Sequence, residues 1–66
     1  MNDRIKIVIA DDEQLFRTGM RFLLERTDEF EIIFEAEDGA QLIDMLGDSE
    51  VVPDIILMDL KMPKLK

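Results

Sequence analysis

The sequence contains no cysteine, no histidine, no tryptophan and no tyrosine among its 66 residues. Without cysteine the chain cannot form a disulfide or a thiolate metal site, and without histidine it has no imidazole ligand and no Ser-His or Cys-His nucleophile pair. The chemistry that remains is that of carboxylates and of hard cations, which bind oxygen ligands.

Long hydrophobic runs are also lacking, since the longest are the short segments 7–10 and 55–58. A membrane-spanning helix needs ~20 consecutive apolar residues. The N-terminal apolar segment is also too short for a signal peptide. We therefore expect a cytoplasmic protein that forms one domain, residues 1–66.

Positive charge is scarce, because 8 Lys and Arg residues stand against 16 Asp and Glu residues, for a formal net charge of −8. Contact with nucleic-acid phosphates needs clustered Lys and Arg, so we expect no direct nucleic-acid binding by this chain. Residues 27–60 contain most of the acids and none of the bases. We expect most of these acids to be solvated and a minority to form a cation site.

The hydrophobic pattern predicts strands that alternate with helices. Short apolar runs predict strands at residues 5–10, 31–36 and 54–59, and apolar residues at helical spacing predict helices at residues 14–26 and 40–46. This order is typical of a parallel sheet with right-handed crossovers. The predicted fold class is α/β, a three-stranded parallel βαβαβ unit.

The same pattern predicts which side chains are buried. In the first helix, a stripe of charged residues is expected to face solvent: Glu13, Arg17, Arg21 and Glu25. Apolar residues of both helices and the alternating face of the second strand are expected to face the core, among them Phe16, Phe22, Ile32, Phe34, Ala36, Leu42, Ile43 and Leu46. We expect Gly47 to end the second helix.

Three acids follow or end two of the predicted strands. Asp11 and Asp12 follow the first strand, and Asp59 ends the third. Neighbouring parallel strands share one rim of the sheet, where doubly wound folds bind ligands. Carboxylates that converge there repel one another unless a cation offsets their charge. Because Mg²⁺ prefers a few carboxylates with open positions for phosphate oxygens, we predict a Mg²⁺ site with Asp59 as a nucleophile towards phosphorus.

Purely structural roles are also open to each acid taken separately. Asp11 with Gln14 fits a capping box, and Asp12 is an acid near a helix N-terminus. Asp59 could be an ordinary turn residue. Helix capping does not readily explain why acids lie at the ends of two neighbouring strands, so the pattern favours a cation-binding site.

Three segments resemble the receiver domains of two-component response regulators. They are residues 5–12, 35–39 and 53–63, which read IKIVIADD, EAEDG and PDIILMDLKMP. The resemblance covers the whole chain but only three of the family's five strands, so it implies the N-terminal half of a flavodoxin-like domain with strand order 2-1-3-4-5. Residues 15–20, LFRTGM, also resemble the first helix of receivers joined to LuxR-type helix-turn-helix output domains.

The resemblance implies a regulatory phosphoacceptor rather than an enzyme. Asp59 would accept a phosphoryl group from a histidine kinase. Asp12 would bind Mg²⁺ directly, Asp11 would act mainly through water, and the Lys61 backbone carbonyl would complete the protein ligands. Pro63 would hold the turn that follows.

The family also uses a hydroxyl residue after its fourth strand and a lysine after its fifth, and these 66 residues contain neither strand. We therefore expect a fragment that does not signal by itself and whose exposed third strand promotes a homodimer or other self-association. One alternative is a receiver-like module that binds cations or partners without being phosphorylated. A less favoured one is an Asp-nucleophile phosphatase of the haloacid dehalogenase kind, which needs a second acid where Lys61 stands.

Overall fold

The computed structural model describes residues 3–58 as two helices packed against a sheet of three parallel strands. The strand order is β2-β1-β3, with β1 in the centre. This order confirms the predicted α/β architecture. The elements are β1 (Ile5–Ala10), α1 (Gln14–Leu24), β2 (Phe30–Ala36), α2 (Gly39–Asp48) and β3 (Ile55–Met58).

The core lies around β1, because this strand has a neighbour on each side and β-branched side chains on both faces. Val8 and Ile9 are fully buried. Val8 belongs to a cluster of buried residues on the α2 side of the sheet, together with Ala10, Ala36 and Leu42. Partly buried residues from three elements pack against this cluster: Ile33, Phe34, Met45, Leu46 and Met58.

A β-bulge interrupts the pairing of β2 with β1. Ile7 is opposite Ile32, but the next residue, Val8, is opposite Phe34, so Ile33 has no partner in the register. The extra residue reverses the facing of the second half of β2 relative to the first. The expected strict alternation is therefore wrong, since Ile33 and Phe34 both pack against the cluster on the α2 side.

Both helices differ from their predicted bounds. α1 ends at Leu24 rather than at residue 26, and the amides of Arg26 and Thr27 then donate to carbonyls three residues earlier, at 3.4 Å each. These tighter turns replace the last α-helical hydrogen bonds. α2 runs past Gly47 to Asp48, and no glycine in the described chain has a positive φ, so Gly47 does not act as a left-handed helix cap.

Five apolar side chains of the helices, which were predicted to face the core, are exposed. In α1 they are Leu15, Phe16, Phe22 and Leu23, with Leu15 at 85% and Phe22 at 66%, and in α2 Ile43 is 65% exposed. In the part of the chain that the structure describes, each helix covers one side of the sheet and no further layer packs on its outer face. Amphipathic spacing therefore identified the helices but assigned too many residues to the core.

β3 begins at Ile55, one residue later than the start of the predicted segment 54–59. Asp54 precedes the strand and fixes it to β1, because its N–H donates to the Lys6 carbonyl at 2.7 Å and its Oδ2 accepts from the Lys6 N–H at 2.8 Å. The strand is described as far as Met58, and Asp59 lies outside the described residues.

No helix within residues 3–58 is long and apolar enough to cross a membrane.

Candidate functional site

The carboxyl ends of β1 and β3 lie side by side. Ala10 of β1 is the register partner of Met58 of β3, and Asp11 directly follows Ala10. In the sequence, Asp59 directly follows Met58. The predicted site residues Asp59 and Lys61, like the expected turn residue Pro63, fall outside residues 3–58, so the described part of the site consists of the loop that starts at Asp11.

Asp11 is held in place by three hydrogen bonds to the rest of the protein. Its side chain is largely enclosed, and the residue is 6% exposed. Its N–H donates to the Ala36 carbonyl at 3.0 Å, its carbonyl accepts from Arg17 Nη1 at 2.6 Å, and its Oδ1 accepts from the Glu13 N–H at 2.8 Å. The backbone and one carboxylate oxygen are thus engaged, which fixes the direction of the carboxylate.

The predicted capping box of Asp11 and Gln14 is wrong. The N-cap of α1 is Glu13, and its side chain makes no capping hydrogen bond. Asp11 instead bonds the amide two residues ahead, which is an Asx turn in the loop between β1 and α1. Asp12, between them, is exposed. Asp11 and Asp12 therefore directly follow β1 at the rim of the sheet, the first buried and the second exposed.

A cleft of about 440 Å³ opens beside this loop. It lies between α1 and the carboxyl ends of β1 and β3, and its lining combines two acidic residues with apolar ones. Its lining residues are Ala10, Asp11, Glu13, Phe16, Met20, Leu57 and Met58. The cleft therefore opens at the strand ends where the sequence places the predicted site.

The donor chemistry of Asp11 and Asp12 fits Mg²⁺, because carboxylate oxygens are the ligands that this hard cation prefers. Residues 3–58 contain no group of three His, Cys, Asp or Glu side chains that could hold a metal ion. Mg²⁺ commonly keeps several waters and takes only one or two protein carboxylates, which is the number that Asp11 and Asp12 supply.

An ionic network connects α1 to β2 behind the loop. Glu35 accepts from two arginines, with its Oε1 3.2 Å from Arg17 Nε and its Oε2 2.7 Å from Arg21 Nη1. Arg21 also reaches Glu25 on its own helix at 3.3 Å. The prediction that Arg17 faces solvent is wrong, because its side chain is only 12% exposed.

Sequence reasoning did not assign Arg17 and Glu35 to the site. The bulge at Ile33 sets the register that pairs Glu35 with Ile9, on the sheet face that α1 covers. The sequence showed an acid, Glu35, in the second strand and two arginines, Arg17 and Arg21, on one face of the first helix. This pattern does not predict which arginine forms an ion pair with Glu35.

The hydrogen bond that Arg21 donates to Glu35, followed by the one that it donates to Glu25 and by the charge of Glu25, raises the pKa of Arg21 above its usual value. The guanidinium of Arg21 is half exposed, so solvent screens most of this attraction. The pairing therefore keeps Arg21 in place more than it stabilises the fold.

Comparison with known proteins identifies the family. The family model described as "Response regulator receiver domain" matches residues 7–66. The chain is 44% identical to the transcriptional regulatory protein DegU of Brevibacillus brevis over 62 residues, which are 94% of this chain and 25% of that protein. It is 41% identical to the oxygen regulatory protein NreC of Staphylococcus aureus over 59 residues, covering 89% of this chain and 26% of that protein.

A solved structure shares the fold. RcsB from Salmonella enterica serovar Typhimurium, bound to promoter rprA in the presence of the phosphomimetic BeF3⁻, superposes with a TM-score of 0.82 at 30% sequence identity. The match covers 92% of this chain and 29% of that chain. The 66 residues thus span about a quarter of the length of the curated relatives described above. By its match over residues 7–66, the chain belongs to the response regulator receiver domain family.

Proposed function

We propose that this chain is the phosphoacceptor part of a two-component response regulator and that Asp59 takes a phosphoryl group from a histidine kinase. The observation that carries the proposal is the pairing of Ala10 with Met58. Asp11 and Asp59 are the next residues of these two strands, and strand ends at such a rim are where doubly wound folds bind their ligands.

In the proposed reaction, a carboxylate oxygen of Asp59 forms a bond to phosphorus while the bond from phosphorus to the kinase's histidine nitrogen breaks. Asp12 is proposed to bind Mg²⁺ directly, Asp11 through water, and Lys61 through its backbone carbonyl. When bound, Mg²⁺ supplies positive charge that faces the phosphoryl oxygens. The hydrogen bonds of Asp11 support this assignment, because they orient its carboxylate before any ligand arrives.

The role that we propose is regulatory rather than enzymatic. DegU and NreC are named as regulatory proteins, and RcsB is described in complex with a promoter. We infer that the protein acts in transcription regulation in the cytoplasm. The net charge of −8 favours DNA contact by another part of such a regulator and not by these residues.

We also propose that the chain self-associates as a homodimer through β3. Among residues 3–58, β3 pairs with β1 on one side only. Ile55 and Ile56 are 42% and 39% exposed. The strand has no lysine, proline or bulge to protect its edge, and an unprotected apolar edge is a template for pairing with another chain.

The phosphoacceptor proposal is tested by incubating the purified chain with a small phosphodonor and Mg²⁺ and weighing the intact protein. A longer protein that contains these 66 residues is run in parallel, because residues 1–66 lack the hydroxyl and lysine that the family resemblance implies, and we expect them to react more slowly. The matched variants are Asp59→Asn and Asp44→Asn, the second at an exposed position on α2.

We expect a phosphoryl adduct that disappears in Asp59→Asn and persists in Asp44→Asn. An adduct that persists in Asp59→Asn would mean that another residue is the acceptor. No adduct in the longer protein would overturn the proposal and favour a module that binds cations or partners without being phosphorylated.

A further inference from the structure

We propose that Arg17 is a positioning residue, which holds the loop of Asp11 and Asp12 in the geometry needed to bind a metal ion, with Glu35 as its anchor. The inference rests on the proposed function, because the shape of this loop affects the chemistry only if the two aspartates bind a cation. It assigns a role to a side chain that bonds the loop backbone and is not itself one of the proposed metal ligands.

Arg17 connects three parts of the chain through its guanidinium and its backbone N–H. Its Nη1 donates to the Asp11 carbonyl at 2.6 Å, and its Nε donates to Glu35 Oε1 at 3.2 Å. Its own backbone N–H donates to the Glu13 carbonyl at 3.1 Å, which is the first hydrogen bond of α1. The loop after β1, the start of α1 and the end of β2 are therefore connected through one residue.

The bond to the Asp11 carbonyl bears directly on the metal site. This carbonyl belongs to the peptide unit that joins Asp11 to Asp12, and a peptide unit is planar. Holding its oxygen limits the backbone rotations on both sides of the plane, and hence the directions of both carboxylates. A bond at this position orients the two proposed ligands together.

The chemistry of arginine suits this role better than that of lysine. A planar guanidinium donates in several fixed directions at once, whereas an ammonium is a compact charge on a flexible stem. The side chain of Arg17 is only 12% exposed, so water competes weakly for its hydrogen bonds. Charge-assisted bonds to a carboxylate are also stronger than bonds between neutral groups.

Arg21 provides a matched comparison within the same network. It donates to the other oxygen of Glu35 at 2.7 Å, but its remaining partner is Glu25 and it makes no bond to the loop. Its side chain is half exposed. If Arg17 only added positive charge near Glu35, replacing Arg17 and replacing Arg21 would have the same effect on the loop.

The test compares Arg17→Lys with Arg21→Lys in two measurements on the purified protein. The first is amide hydrogen exchange without metal, followed at Glu13, whose N–H donates to Asp11 Oδ1. The Gln41 amide is an internal reference, because it donates to Asp38 Oδ1 at the same distance of 2.8 Å but at the start of α2. The second measurement is calorimetric titration with Mg²⁺.

We expect Arg17→Lys to increase exchange at Glu13 several-fold relative to Gln41 and to weaken Mg²⁺ binding about tenfold, as is typical when a residue that orients a metal ligand is lost. Arg21→Lys is expected to change Mg²⁺ affinity by less than about twofold, because its contacts are exposed. Equal effects of the two variants, or unchanged exchange at Glu13 in Arg17→Lys, would overturn the proposal.

Two further results separate the possible failures. If the unsubstituted protein binds no Mg²⁺, the proposed function fails, while the exchange data still show whether Arg17 orders the loop. If Arg17→Lys does not fold, Glu35→Ala decides the question, because it removes the acceptor that anchors Arg17 and keeps Arg17 itself. Unchanged Glu13 exchange in folded Glu35→Ala would then overturn the proposal.

Discussion

At the scale of single residues, Asp38 has a defined task at the start of α2. It is the N-cap, and its Oδ1 accepts from the Gln41 N–H at 2.8 Å. This bond satisfies one of the amides that an α-helix leaves unpaired at its first turn. The aspartate side chain therefore caps the helix.

Replacing Asp38 with alanine removes the acceptor and is expected to lower the free energy of unfolding by about 1 kcal/mol. Asp38→Asn keeps an acceptor oxygen and is expected to cost much less. Urea unfolding followed by circular dichroism measures both. If the asparagine variant lost as much stability as the alanine variant, the charge of Asp38 rather than its capping bond would be the stabilising feature.

At the scale of secondary-structure elements, both helices contain a glycine that the packing does not require. An added Cβ would meet no atom within 4 Å at Gly19 of α1 or at Gly47 of α2. Neither glycine has a positive φ. Both positions are exposed, so an alanine side chain would be accommodated without moving a neighbour.

We expect Gly19→Ala to raise the free energy of unfolding by about 0.5–1 kcal/mol, because glycine costs more conformational entropy than alanine in a helix interior. The gain at Gly47 should be smaller, since the helix ends one residue later. Thermal unfolding of each variant gives the comparison. A loss of stability in Gly19→Ala would indicate that another molecule packs closely against this face of α1.

At the scale of the whole molecule, the edge of β3 that has no partner strand among residues 3–58 governs the proposed self-association. We expect the unsubstituted chain to sediment as more than a monomer at micromolar concentration, and Ile56→Lys to shift it towards monomer, because a lysine on an edge strand opposes pairing with a second sheet. Analytical ultracentrifugation over a concentration series measures this.

Val52→Lys is the control for added charge. Val52 is more exposed than Ile56 but lies in the connection before β3 rather than in the strand. Val52→Lys should therefore leave the self-association unchanged. A folded chain that stays monomeric without any substitution would contradict the dimer proposal, and equal dissociation by both lysines would point to net charge rather than to the strand edge.

The local pattern of the sequence was enough to determine the order of elements and the strand-end position of Asp11 and Asp12. Apolar runs and helical spacing are properties of neighbouring residues, and a parallel sheet follows from strands that alternate with helices. The family was also evident from contiguous segments such as residues 5–12, and the match over residues 7–66 confirms it.

Only the tertiary structure decided the register of β2, the pairing of Arg17 with Glu35 and the exposure of Phe22. The bulge at Ile33 depends on how two strands distant in sequence align, and this alignment selects which side of β2 meets α1. Burial depends on what lies beyond each helix, which no periodicity encodes. These features arise from contacts between segments, so a pattern read along one segment cannot contain them.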